Sequence, residues 1–433
     1  MQRFTRRALG RSILAGAAAS ALGRASGQNC APPSGIAVDF VIPQRQNIQR
    51  KAVAELDDSE VARLRLAYQK LRELTTSDAN DPRGWMQQAN VHCWNCGGGS
   101  GADIHGSWTF LPWHRAFLYF HERILATLLN DDAFRLPYWS WDDINYRNFP
   151  DIYRPDQANG AANSLYDANR SSDASTGKPI PSSYFSPDPV MAANFEAFGG
   201  DTDSAGSLEA SLHGAIHMWT GTAKVPNADM GNLWLAGRDP VFYAHHCNID
   251  RLWAEFNRLN PVAHANPTAA EFLTHSFQFF DENKQLVTIK VQDVLDPAPL
   301  GFSYAPGAGL SKSEQPKWTK LNYNPTTRLI RLPDSLRGLL TSAIVRERSL
   351  VLKNVKLPMN SGSYNIYVGT NYVGYIGLIT SAHMSNHKGS LALNVTDAFL
   401  QSAGGTGARL TYAPVGKSGS TPLDFSAIYL TEE

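Results

Sequence analysis

No stretch of the sequence reaches the about 20 consecutive apolar residues that a membrane-crossing helix needs. The weakly apolar stretch at 13–22 is too short. Charge of one sign is missing as well: 39 Lys and Arg face 39 Asp and Glu, a formal net charge of +0. Five arginines and no acid lie in residues 1–28; without them 34 basic groups face 39 acidic ones, a balance of −5. Such a chain carries no electrostatic footprint for nucleic acid or an anionic membrane. Cysteine is scarce, with four (Cys30, Cys93, Cys96 and Cys247) in 433 residues. This is no small disulfide scaffold. At 43% hydrophobic residues, the chain can bury a core without metal or crosslink. Internal repeats and low-complexity tracts are also absent.

What is present begins with Thr5-Arg6-Arg7-Ala8-Leu9-Gly10, a twin-arginine element. The short apolar stretch and the small residues Ala25, Ser26 and Gly27 follow it. Residues 1–28 read as an export signal, which takes an already folded protein across a bacterial membrane. The expected destination is periplasmic or secreted, with no membrane insertion once the signal is removed; a disordered basic tail is the alternative.

The length predicts two or three domains. Apolar residues at helical spacing predict helices over 59–76 (Val61, Leu64, Tyr68, Leu71, Leu74) and 113–130 (Phe117, Leu118, Ile124, Leu125, Leu128). A further helix carries Trp85, Met86 and His92, a glycine-rich loop follows at 94–104, and helices return at 207–219 and 240–259. Residues 143–206 read as loops with short elements, and the Pro/Gly run at 297–309 marks a boundary. Beyond 325 the pattern changes to short β-branched and aromatic runs at 329–332, 349–355, 364–368, 372–379, 390–395, 409–413 and 425–430. Turn residues separate them, which predicts an antiparallel β-sandwich.

Eight of the twelve histidines fall in two groups: His92, His105, His114 and His121, then His213, His217, His245 and His246. His213 and His217 are four apart, so on a helix they share one face and can grip one ion. A lone helical histidine is more often a core or surface residue, but two clusters on separate helices favour metal. Imidazole suits copper, zinc, iron or nickel. Read as histidine groups, with no Asp or Glu taken to complete a facial triad, the two all-nitrogen sites favour copper that binds dioxygen.

Longer motifs surround these histidines. His105-Gly-Ser-Trp-Thr-Phe-Leu-Pro-Trp-His114-Arg115, running to Glu122, resembles the copper A motif of tyrosinases and catechol oxidases. Asp239-Pro-Val-Phe-Tyr-Ala-His245-His246-Cys-Asn-Ile-Asp250-Arg251-Leu-Trp253 resembles their copper B motif, and Val91-His92-Cys93-Trp94-Asn95-Cys96 resembles the first-ligand segment of plant-type polyphenol oxidases. The resemblance covers roughly residues 30–305 and, more weakly, the rest. It implies two copper ions, one on His92, His105 and His114, the other on His213, His217 and His246. His246 is taken over His245 because it lies four before Asp250; His245 becomes a neighbour of the ligands. His121, His264, His275, His383 and His387 are expected to be structural. Asp250 and Glu122 are expected to orient imidazoles or to bind Arg115 or Arg251.

The same resemblance implies a Cys30–Cys93 disulfide and a thioether between Cys96 and His105, with Cys247 a buried apolar residue. His92 and His105 are only thirteen positions apart, because the loop at 97–102 is shorter than in plant enzymes. Glu209, four before His213, matches a glutamate that holds a water near the metals. Leu233 matches the residue over copper A. Gly214 departs from the asparagine linked to monophenol hydroxylation. Residues 280–304, with Phe280-Asp-Glu-Asn283 and Leu300-Gly-Phe-Ser-Tyr304, resemble the segment closing the catalytic domain, and 325–433 resemble the shielding domain of latent plant enzymes.

The expected architecture is therefore a mainly α catalytic domain over 29–305, a helical bundle holding a type 3 dicopper centre. A linker at 306–324 and a C-terminal antiparallel β-sandwich at 325–433 follow it. The expected activity is oxidation of o-diphenols to o-quinones by dioxygen. A full tyrosinase that also hydroxylates monophenols and a haemocyanin-like oxygen carrier are the alternatives. For the C-terminal domain, a carbohydrate- or partner-binding module stands beside the shield.

Overall fold

The computed structural model describes residues 30, 33–98, 104–180, 192–221, 229–306, 317–332, 348–356, 362–378, 388–394, 408–414 and 423–432. The twin-arginine segment, His383 and His387 lie outside the described residues.

Among the described residues, five α-helices frame the N-terminal body, beside three shorter ones at 172–175, 195–199 and 270–274. The first, α1 (Asp58–Ser77), starts where Asp57 accepts from the Glu60 N–H and Glu60 accepts from the Asp57 N–H in return. This capping box satisfies two donors that the helix cannot pair internally. Leu64, Ala67, Tyr68 and Leu71 form its buried face. Helix α2 is Trp85–Cys93 and α3 is Phe110–Leu129. Pro112 is tolerated in the first turn of α3, where its missing N–H has no partner to lose. The helix ends at Asn130, whose φ of 53° is left-handed, a conformation that asparagine accepts. Helices α4 (Gly214–Thr220) and α5 (Val241–Leu259) complete the set. α1 packs on α2 and α3, and α3 packs on α5. α3 is buried around most of its circumference, so it is the central rod of the bundle.

Two expectations change in detail. The loop at 94–104 begins instead as a π-turn, Trp94–Gly98, and the helix at 207–219 is a π-turn, Glu209–His213, followed by α4. A π-turn carries one extra residue per turn, which shifts side chains off the 3.6-residue face and is common at functional sites. Apolar periodicity does not report it.

Small parallel pairings close the body. Strand β1 (Val38–Asp39) pairs with β4 (Leu286–Lys290), which also pairs antiparallel with β3 (Ser276–Phe280). Strand β2 (Ile48–Arg50) pairs in parallel with β5 (Phe302–Tyr304). The early part of the Pro/Gly run therefore belongs to this body, not to a linker.

Beyond it, the C-terminal region is two antiparallel sheets. One has the order β11 (Asn371–Leu378), β10 (Gly362–Val368), β13 (Ala408–Pro414), β8 (Leu329–Arg331) and β7 (Asn322–Asn324). The other has the order β12 (Lys388–Asn394), β9 (Arg348–Lys356), β14 (Ala427–Glu432) and β6 (Lys317–Lys320). Each of the seven runs expected as strands overlaps a strand of these sheets. The expected boundaries need correction: β6 and β7 lie inside the stretch assigned to a linker. Their mixed lysine, tryptophan and asparagine content hides them, because edge strands need few apolar residues. Leu321, Ile330, Leu350, Leu352, Ile366, Leu410 and Ile428 belong to one buried cluster separate from that of the helical body. Strands β11 and β12 lie against the segment 209–220. Among the described residues, no helix is long and apolar enough to cross a membrane.

Candidate metal centre

Seven imidazoles converge between α2, α3, α4 and α5. One ring nitrogen each of His92, His105 and His114 lie within 4.8 Å of one another, and the same holds for His213, His217, His245 and His246. All seven are buried. The two groups adjoin: the His114 and His246 rings stack with centroids 4.1 Å apart, and His105 and His213 lie 5.9 Å apart.

The backbone orients two of the rings. His114 Nδ1–H donates to the Phe110 carbonyl at 2.8 Å, and His217 Nδ1–H donates to the Met230 carbonyl at 3.0 Å. A carbonyl only accepts, so in each neutral ring the free lone pair is on Nε2. Consistent with this, His217 Nε2 faces His246 Nε2 at 3.3 Å. His114 Nε2 and both ring nitrogens of His213 are buried without a protein partner among the described residues. Unsatisfied buried imidazole nitrogens aimed at one another are costly unless an ion joins them. The donor set fits copper: nitrogen only, neutral and soft enough. Burial, and then neighbouring imidazoles, push His92, His114, His213 and His246 well below the usual histidine range. Burial also takes His217 down to about 3. The rings thus stay neutral and able to ligate at ordinary pH.

Around this core, Glu209 Oε1 accepts the Gly106 N–H at 2.8 Å, next to His105. Gly106 has a φ of 79°, a turn that glycine adopts without strain. Gly214 is buried at the start of α4, and Leu233 is buried in the segment whose Met230 holds His217. Cys30 and Cys93 form the expected disulfide. Cys96 Sγ lies 3.2 Å from His92 Nε2. Cys247 is buried, and its thiol is pushed up to about 12 by that burial.

The carboxylates near the site do not all go where the motif reading puts them. Asp250 does bind Arg115, at 2.6 Å. Among the described residues Glu122 binds no imidazole: it accepts from Arg50 Nε and from the Leu136 N–H, both at 2.9 Å. Arg251 pairs with Asp142 at 2.5 Å, not with Glu122 or Asp250. His121 is structural: Gln88 Oε1 takes its Nδ1–H at 3.1 Å, and its ring stacks on Tyr243. Sequence reasoning missed Arg50, which no motif or apolar stripe marks, and Trp141, whose indole N–H reaches His245. Only the apolar character around Trp141 signals its burial; nothing in the sequence signals its partner.

Comparison with known proteins sets this geometry in context. A family model described as the common central domain of tyrosinase matches residues 82–183 and 153–259, and one described as the polyphenol oxidase middle domain matches 266–318. The chloroplastic polyphenol oxidase of Vitis vinifera is 34% identical over 339 residues, covering 69% of this chain and 54% of that protein. The crystal structure of Grenache (Vitis vinifera) polyphenol oxidase is 32% identical, covers 65% of this chain and 93% of that one, and superposes with a TM-score of 0.58. A latent aurone synthase, a polyphenol oxidase, shares the fold at 24% identity and a TM-score of 0.68, covering 95% of both chains. The chain spans about half the length of the curated relatives it matches.

Proposed function

Because the chain belongs to the tyrosinase family, we propose that it is a copper-dependent polyphenol oxidase that oxidises o-diphenols to o-quinones with dioxygen. The observation that carries this reading is the pair of adjoining imidazole clusters with apposed, buried nitrogens. His92, His105 and His114 hold one copper, and His213, His217 and His246 the other. A thioether between Cys96 and His105 would fix the His105 ring; it predicts a Cys96–His105 peptide that survives reductant.

Copper, when bound, supplies the redox capacity for a two-electron oxidation. The rest is the work of this chain. Two diphenols give up four electrons and four protons to one dioxygen, leaving two quinones and two waters. Neutral imidazoles leave the cations' charge uncompensated, which attracts a phenolate. Glu209, through a water, is the base that takes the phenol proton. Leu233 leaves the entrance open to a flat ring. Gly214 gives that water no side-chain partner, so diphenol oxidation runs faster than monophenol hydroxylation.

The C-terminal sheets form a β-sandwich that shields the site. Their shared apolar cluster and the contact of β11 and β12 with 209–220 support this. In this reading the catalytic body runs to 305 and the C-terminal domain starts at β6 rather than at 325. Residues 1–28 direct twin-arginine export.

The test is metal analysis together with oxygen uptake on catechol and on a monophenol. Bound copper with quinone formation is expected. Reversible oxygen binding without quinone would instead indicate a carrier, and a chain that takes up no copper would overturn the reading.

A further inference from the structure

Four imidazoles, not three, meet on one side of the cavity, and the separations among His213, His217, His245 and His246 do not choose between them. Hydrogen bonding does. Trp141 Nε1 lies 3.1 Å from His245 Nδ1, and both residues are fully buried. An indole N–H only donates, so His245 Nδ1 must accept. A neutral imidazole has one proton, which is then on Nε2. An imidazolium would set N–H against N–H and is excluded by the same contact. Whichever ring nitrogen of His245 stands in the cluster, it has no free lone pair: that of Nδ1 is taken by the indole, and Nε2 bears hydrogen. His217 has the opposite arrangement, with its Nδ1–H on the Met230 carbonyl and its Nε2 lone pair free.

Resting on the copper reading above, we propose that Trp141 is a positioning residue that fixes His245 in its Nε2–H form and so withholds it from the metal. The locked ring has a second effect. It stacks on His213 at 5.6 Å and 18°, and meets His217 edge-on at 4.9 Å and 88°. It therefore walls two ligand rings without competing with them. Among the described residues His245 Nε2 has no protein partner, so the lock leaves a buried N–H donor beside the metal.

The experiment uses the holoenzyme, labelled with 15N-histidine and reduced to the diamagnetic cuprous state. Long-range proton–nitrogen correlation reads which ring nitrogen carries hydrogen, and the His245 signals are identified by their loss in His245→Gln. The expected pattern is a proton on Nε2, with Nδ1 unprotonated and hydrogen-bonded. Trp141→Phe should abolish that fixed pattern, and His245→Gln should keep both coppers by metal analysis. A His245 protonated on Nδ1, or loss of a copper in His245→Gln, overturns the proposal. The wild-type spectrum decides even where Trp141→Phe does not fold. A wild-type chain that binds no copper defeats the functional reading instead, while the tautomer remains readable in the metal-free protein.

Discussion

His121 shows how a buried residue outside the two histidine clusters ties them together. It lies two turns after His114 on α3, bonds Gln88 one turn before His92 on α2, and stacks on Tyr243 three positions before His246 on α5. One side chain thus bridges three helices that carry the clustered histidines. Burial lowers its pKa from 6.5 to about 3. The sign of the consequence is fixed: between those values the unfolded chain binds a proton that the folded chain refuses. Stability from this group is full above pH 6.5 and falls as pH drops towards 3, by about 1.4 kcal/mol per pH unit. His121→Phe should remove that dependence. Denaturant unfolding at a series of pH values from 6 to 4 should show a slope shallower than wild type by close to one proton, whatever the variant's absolute stability. An unchanged slope would mean that His121 is protonated in the folded state.

At the level of elements, the pairing of β2 with β5 is locked by charge. Arg50 is fully buried, with Nε on Glu122 at 2.9 Å and Nη1 reaching the Tyr304 hydroxyl at 2.8 Å and Asp250 at 3.5 Å. Its guanidinium also lies 3.6 Å from the centre of the Phe302 ring. One residue from the N-terminal segment therefore ties α3, α5 and the strand that closes the body. Removing one partner of a buried ion pair strands the others, at a cost of about 3–5 kcal/mol. Arg50→Met should lower the midpoint of thermal unfolding markedly, whereas Lys51→Met, which breaks a half-exposed pair with Glu60, should change it little. Equal effects would show that the network contributes no more than a surface pair. The sequence revealed neither the network nor the π-turns. Helices α1, α3 and α5 are legible because long apolar stripes repeat at 3.6 residues, and the histidine clusters because four-residue spacing has chemical meaning. Arg50 meets Glu122, Asp250 and Tyr304 only through long-range packing, and a π-turn shifts the period for too few residues to register. The C-terminal strands are legible for the opposite reason: turn residues bracket each run. β6 and β7 lack such an apolar signature, so their region read as linker.

For the molecule as a whole, the question is what the C-terminal sheets do to the site. Strands β11 and β12 lie against 209–220, the segment that carries Glu209, His213 and His217. Anything resting there stands beside one of the proposed ligand sets and the proposed base. A domain so placed can exclude a phenol ring while admitting dioxygen, since the two differ severalfold in cross-section. The helical body has its own buried core and is closed by Tyr304 on Asp250 at 2.6 Å, so it should keep its copper without the sheets. The chain between Pro306 and Lys317 joins the two regions and is the place to cut. Scission there need not release the sheets at once, because the contact with 209–220 persists until detergent or mild acid weakens it. The expected outcome, once residues 317–433 have been separated from the cut enzyme, is a several-fold rise in catechol oxidation with copper content unchanged. KM for catechol should fall more than that for a smaller electron donor, because a shield discriminates by size. An unchanged rate in the fully stripped, copper-replete body would remove the shielding role and leave the sheets as a module for binding carbohydrate or another protein.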